Sequence, residues 1–412
     1  MLKNMKVSLL EMLIAISDTV DLMKSVLVGH HLKVAYIAVS LGEELKLSSY
    51  KRDRLLAAGI LHDIGALSEK ERLDALEFEF KNPMAHALVG YHLLKPLDDF
   101  LQVADIVRYH HLPWENGRGG EDEGKPVPLA SHIINLADRL SILIDPKREI
   151  LEQKEEIMAK INAYTPHLFH PLLVEALSEL AASDSFWLDI VYPKINILLR
   201  QKTELSSRYL EEESLFRLAD LFRGIIDFKS SFTANHSGSV AKVAENLASL
   251  VGFSLEECKM IKIAGDLHDL GKLAIPREIL DKPGKLTAEE RKIMQKHAYY
   301  SYRTLGNIND FELINSWGSL HHERLDGSGY PFGLKKEKLP LGSRIMAAAD
   351  VFTALSENRP YRGALSFEEI SSILQKMAEE NALDKDIVFL LLNNYDLFGS
   401  LLNSLAVCTE EK

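Results

Sequence analysis

The sequence predicts an all-α protein built as two tandem helical domains, residues 1–200 and 201–412, joined by a helical connector. Three observations carry this. Apolar residues recur at helical spacing while strand-like alternation is scarce. Helix-capping patterns are frequent. A set of histidines and aspartates occurs twice in the same order, with His30 and His236 206 residues apart and Asp138 and Asp350 212 apart. That period is the size of a domain, not of a solenoid repeat.

Along the chain, residues 1–20 are apolar but interrupted by Lys3, Lys6, Glu11 and Asp18. They lack the small-residue cleavage pattern of a signal peptide and read as a helix packed on the body of the protein. Gly, Pro and other breakers gather at 112–128, 281–287 and 326–342, where loops would surround a site. Residues 200–230 form a long helical pattern with a charged stretch from Glu211 to Glu213, the expected connection between domains. Over 236–251, Val240, Val243, Ala244, Leu247 and Leu250 keep a period near 3.6. Capping boxes are predicted at Ser254–Glu257, Thr287–Glu290 and Ser366–Glu369, each a hydroxyl residue followed three positions later by Glu.

Composition bounds the function. The chain has 412 residues, enough for two domains, and is 46% hydrophobic and 26% charged, as soluble globular proteins are. Its net charge of −12 argues against a DNA or RNA polymer as partner, since phosphate backbones recruit clustered Lys and Arg. A small phosphate ligand remains compatible, because residues 320–365 hold seven Lys/Arg against five Asp/Glu. The two cysteines, Cys258 and Cys408, exclude a disulfide scaffold and a zinc-thiolate site and suit a reducing cytoplasm. No run of about 18 apolar residues is present to span a membrane.

The repeated set carries the chemistry. Its first copy is His30, His62-Asp63, His86, His110-His111 and Asp138; its second is His236, His268-Asp269, His297, His321-His322 and Asp350. The first two histidines are 32 residues apart in both copies, and His86 to His110 matches His297 to His321 at 24. His31, His92, His132, His167 and His170 fall outside the pattern and read as structural or solvent-facing. Imidazole and carboxylate ligands suit divalent Fe, Mn, Ni, Co or Zn, and five histidines with two aspartates exceed what one ion with open positions needs. His268 and Asp269, placed on a helix, would point about 100° apart and reach different sides of one centre. The tandem His321-His322 belongs at a helix end, where both rings can converge. Two metals can activate a bridging hydroxide and hold a phosphate for in-line displacement.

Over roughly 215–400 the second copy resembles the HD-GYP subgroup of the HD metal-dependent phosphohydrolases. The matching residues are His236, His268-Asp269-Leu270-Gly271-Lys272, Ile275-Pro276, the run Lys282 to Thr287, His297, His321 to Pro331, Pro340-Leu341, Asp350 and Arg359-Pro360-Tyr361-Arg362. The resemblance implies an all-helical fold, a centre of two or three metals, iron or manganese foremost, and hydrolysis of cyclic di-GMP to pGpG or GMP. Some members prefer 3'3'-cyclic GMP-AMP. Carried over by position, one metal takes His236, His268 and Asp350, and the other His297, His321 and His322, with Asp269 bridging. Lys272 is the catalytic cation. Arg324, Arg359, Arg362 and Tyr330 are the substrate-binding residues. Members with a third metal carry a glutamate where this chain has Phe232, and many have an aspartate where it has Thr353. Two metals are therefore expected, and Thr353 bears on rate, pH profile or substrate preference.

The first copy resembles the broader HD superfamily. It keeps all seven ligand types but has Ala66 at the Lys272 position, Leu112 to Gly120 in place of the Gly-Tyr-Pro loop, and Lys147 and Ile150 at the arginine positions. It is expected to keep a second metal centre and a regulatory role, including contact with a second copy of the chain or a protein partner. A purely structural domain and a second working hydrolase are the alternatives. For the whole chain the competing functions are a nucleotidase or dNTP phosphohydrolase and a signalling scaffold without turnover. The loop and the paired arginines favour a cyclic dinucleotide.

Overall fold

The computed structural model describes residues 5–21, 29–66, 84–229, 236–357 and 363–410. Among them the architecture is helical, and the one named sheet is a two-residue hairpin pairing Glu121 with Pro126 and Asp122 with Lys125. Phe232, Arg359 and Arg362 lie outside the described residues.

The chain divides into two compact units, Ser8–Tyr209 and the part from Leu210 onward, which also takes the described residues before Ser8. The helical pattern expected over 200–230 is interrupted. One helix ends at Lys202, residues 203–211 are irregular, and a new helix runs Glu212–Lys229. The end of the first helix stays with the first unit because Lys202 pairs with Glu43 and the Thr203 hydroxyl donates to Asp53.

Each unit is built on the same crossing of two helices. In the first, His30–Glu44 packs on Ser49–Leu61; in the second, His236–Val251 packs on Leu255–Leu267. The contact is tight enough to require glycine. A Cβ on Gly59 would stand 2.6 Å from the Ala35 Cα, and one on Gly265 would stand 2.5 Å from the Ala241 Cα. The three predicted capping boxes are all formed, at Ser254, Thr287 and Ser366. They satisfy first-turn amides that would otherwise lack partners. The apolar faces close over both crossings, with Val34, Ile37, Leu56, Val243, Leu247 and Ile263 fully buried.

Candidate metal centre

The second unit's ligand residues come from five places in the chain that the fold brings together. His236 opens one helix, and His268 and Asp269 follow the end of the next at Leu267. The expectation that His268 and Asp269 sit on a helix is corrected here. His268 caps the helix, and Asp269 begins the tight turn that becomes the 3-10 helix Leu270–Ala274. Gly271 permits that turn, since a Cβ there would lie 2.0 Å from the His297 carbonyl oxygen. Ser301 locks it by accepting from the Gly271 amide at 2.8 Å and donating to the His268 carbonyl at 3.0 Å. His297 lies on Ala288–Leu305, His321 and His322 just past the helix Glu312–Ser319, and Asp350 on Leu341–Ser356.

The ring orientations follow from hydrogen bonds at Nδ1. His268, His297 and His321 each direct Nδ1 to the carbonyl three residues back, Gly265, Met294 and Gly318, at 2.7, 2.7 and 2.6 Å. Their Nε2 atoms turn inward, away from those carbonyls. His236 instead sets Nδ1 2.9 Å from a Glu357 oxygen, with Nε2 3.1 Å from Asp350. Asp269 lies between them, with Oδ2 3.1 Å from His268 Nε2 and Oδ1 3.4 Å from His297 Nε2. Lys272 reaches the same Oδ2 at 2.5 Å. Ligand atoms of three groups lie within 4.8 Å of one another: His236, His268 and Asp350; His268, Asp269 and His321; and His297, His321 and His322.

These atoms fit a bound cation on their own evidence. The Nε2 atoms of His268, His297 and His321 and Oδ1 of Asp269 are buried without a hydrogen-bond partner. Orphaned buried polar atoms are costly, and here they converge. Burial holds His321 down to about 3, and its charged neighbour His268 adds to this. His322 is held well below the usual histidine range by burial and by His321. Burial alone would raise the Asp269 pKa, but His268 and Lys272 hold it well below the usual carboxylate range. His297, His321 and His322 are thus held toward the neutral imidazole and Asp269 toward the ionised carboxylate, the states that ligate.

The loop after His322 is built from its own residues. Glu323 accepts from the amides of Phe332 at 2.6 Å and Leu334 at 2.8 Å, Tyr330 donates its amide to the His322 carbonyl, and Gly327 adopts φ +84°. The Tyr330 ring lies 4.8 Å from that of His322. A cavity of about 490 Å³ opens here, lined by His321, His322, Tyr330 and Arg324. Sequence reasoning passed over Glu357, two helical turns beyond Asp350, and the bracing role of Glu323. It had flagged Thr353, which is fully buried with its hydroxyl unpartnered.

The first unit assembles its copy likewise. Asp63, His86, His110 and His111 cluster, as do His30, His62 and Asp63. Asp138 Oδ1 is 3.2 Å from His30 Nε2, while Oδ2 is held by Arg139 at 2.6 and 3.1 Å. All seven residues are buried, and the Nε2 atoms of His62 and His110 lack partners. His30 has Ser141 at Nδ1, 3.2 Å away, in place of a carboxylate. Its loop is pinned elsewhere. Trp114, Glu115 and Asn116 donate their amides to the carbonyls of Leu168, His167 and Pro166, and Trp114 stacks on His170 at 4.1 Å. Two histidines outside the pattern are buried with partners, His31 on Asp21 at 2.5 Å and His132 on the Gly119 carbonyl at 3.1 Å.

Residues 220–387 and 27–143 each match an HD domain family. The chain is 31% identical over 383 residues to the 3'3'-cGAMP-specific phosphodiesterase 1 of Vibrio cholerae, covering 91% of this chain and 89% of that protein. It is 42% identical over 173 residues to the cyclic di-GMP phosphodiesterase response regulator RpfG of Xanthomonas campestris, covering 42% of this chain and 44% of that one. A crystal structure of a cyclic GMP-AMP-specific phosphodiesterase from V. cholerae superposes with a TM-score of 0.68 at 24% identity, over 95% of this chain and 98% of the other, which bears on the fold.

Proposed function

The chain belongs to the family of tandem HD-domain phosphodiesterases, and from that premise we propose that its second unit hydrolyses a cyclic dinucleotide at a two-metal centre. The observation that supports this most is the convergence of unpartnered Nε2 and carboxylate atoms beside a cavity of about 490 Å³, a volume that suits a nucleotide-sized ligand. His236, His268 and Asp350 would hold one ion, and His297, His321 and His322 the other, with Asp269 shared. Mixed imidazole and carboxylate shells suit iron or manganese, with nickel, cobalt or zinc also accommodated. When bound, the cations lower the pKa of water and neutralise charge on the phosphate.

The chain's own groups do the rest. Lys272, held on Asp269, puts an ammonium where it can stabilise phosphate charge or give a proton to the leaving oxygen. Tyr330 flanks the nucleotide, and Arg324, which lines the cavity, faces a phosphate or base. Arg359 and Arg362 are assigned by sequence to the non-scissile phosphate or a guanine.

Cyclic di-GMP, opened to pGpG or cleaved at both phosphodiesters to GMP, is the first substrate reading. 3'3'-Cyclic GMP-AMP is the second. It is favoured by one observation: the relative that aligns along nine-tenths of this chain is named for that substrate, whereas RpfG aligns over less than half. The first unit is proposed as a metal-holding regulatory domain and the surface for a second copy or a protein partner. Among the described residues no helix is long and apolar enough to cross a membrane. The proposed setting is the cytoplasm.

The test is anaerobic purification with metal analysis, followed by assay on cyclic di-GMP, 3'3'-cyclic GMP-AMP and dNTPs. With iron or manganese a cyclic dinucleotide is cleaved, and Asp269→Ala or His322→Ala abolishes turnover. Lys272→Ala keeps metal and loses rate. Intact cyclic dinucleotides beside a fully loaded site would falsify the reading.

A further inference from the structure

The cavity that His321, His322 and Tyr330 open onto is also lined by Arg291, Met294 and Gln295 from the Ala288–Leu305 helix, and by Met377 and Leu383. Arg291 and Gln295 are four residues apart, about 40° around the helix axis, so they share a face. His297, on the same helix, projects about 160° from Gln295. Gln295 is therefore turned away from the direction His297 takes, and it lines the cavity without belonging to the ligand set. Such a place suits a nucleobase, not the scissile phosphate.

Its polar groups are uncommitted. Among the described residues neither Arg291 nor Gln295 has a side-chain hydrogen bond or ion pair, and Gln295 is half-buried. Among the described residues the cavity's one lining carboxylate, Glu323, has both oxygens occupied by the amides of Phe332 and Leu334. Met294, Met377 and Leu383 supply apolar surface for a purine face.

The hydrogen-bonding edges of the two purines discriminate. Adenine presents a donor at N6 beside an acceptor at N7, which a glutamine amide matches with two bonds; guanine presents two acceptors, O6 and N7, which an arginine fork matches. The face thus carries one recognition group for each purine. At the position matching Gln295, two residues before the ligand histidine, the first copy has Met84, which cannot read a base edge.

We propose that Gln295 is a specificity-determining residue that reads adenine, and that with Arg291 it fits this site to the mixed dinucleotide 3'3'-cyclic GMP-AMP in preference to cyclic di-GMP. The proposal rests on the reading of the second unit as a cyclic-dinucleotide phosphodiesterase. It is tested on the metal-loaded full chain with Gln295→Met, which keeps side-chain length and copies the first unit's residue. Values of kcat and KM are measured for both dinucleotides, with metal content as a check. The ratio of kcat/KM for 3'3'-cyclic GMP-AMP over cyclic di-GMP falls about tenfold or more, carried mainly in KM. A 7-deaza-adenine form of the mixed dinucleotide, lacking the N7 acceptor, is a poorer substrate for the unsubstituted protein and loses nothing further with Gln295→Met. An unchanged ratio, or full activity on the 7-deaza form, overturns the role of Gln295 while leaving the phosphodiesterase reading intact. Failure of the loaded, unsubstituted protein to cleave either dinucleotide overturns that reading and this proposal with it.

Discussion

An imidazole can ligate through either ring nitrogen, and here the second nitrogen decides which. Three second-unit histidines settle the matter within one turn of their own backbone, at the carbonyls of Gly265, Met294 and Gly318. His236 begins its helix, and its Nδ1 faces a Glu357 oxygen instead. Burial works against a charged His236, yet bonds to Asp350 and Glu357 carry its pKa up to about 9. With Nε2 given to a cation, His236 would keep its Nδ1 proton facing Glu357, which would fix the tautomer and raise ligand basicity. Glu357→Gln keeps an acceptor oxygen and removes the charge. Metal affinity of the second unit is expected to fall about 10- to 100-fold in a competition titration with a chelating dye. Affinity equal to the unsubstituted protein's would show that Glu357 is only a neighbour. The seven ligand types were legible in the sequence because their spacing repeats. Glu357 and Glu323 were not, since an acidic residue shows no pattern until the fold brings its partner to it.

Helices were the most legible elements, through capping boxes and apolar periodicity that act within a few residues. Their ends at the metal centre were less so. Nothing local in Leu267-His268-Asp269-Leu270 stops a helix; the turn is imposed by packing on the helix that carries His297, which Gly271 meets at Ser301. The close crossing at Gly265 and Ala241 likewise is a long-range fact. Two glycine substitutions separate these effects. Gly265→Ala forces the two helices apart and is expected to cost about 1–3 kcal/mol in urea unfolding, as overpacked cores do. It also weakens metal binding, because His236 starts one of those helices and His268 ends the other. Gly224→Ala, within Glu212–Lys229, meets nothing within 4 Å and is expected to gain roughly 0.5–1 kcal/mol from helix propensity and unfolded-chain entropy. Equal effects from the two would mean that the crossing is not close-packed.

At the scale of the molecule the question is how two copies of one ligand set divide their work. Both copies bury convergent unpartnered imidazoles, so both fit cations. They differ in the groups that act on a substrate. The second unit has Lys272 on Asp269 and a loop that forms a cavity wall. The first has Ala66 there, its cation Arg139 bound to Asp138, and its loop pinned to the carbonyls of residues 166–168. A metal held in such a site contributes stability by binding the folded state alone, about 2.7 kcal/mol when free metal is 100 times its Kd. It does so with no chemistry attached. Asp63→Ala and Asp269→Ala remove the equivalent aspartate from each copy and separate these roles. Asp63→Ala is expected to lower metal content per chain and thermal stability while cyclic-dinucleotide hydrolysis continues. Asp269→Ala is expected to lower metal content and end hydrolysis. Metal analysis by mass spectrometry beside a rate assay on the same preparations reads both. If Asp63→Ala stops turnover while the second unit keeps its metal, the first centre is a control point for catalysis and not only a structural one, because the ligand it lost is not among those that surround the second unit's cavity.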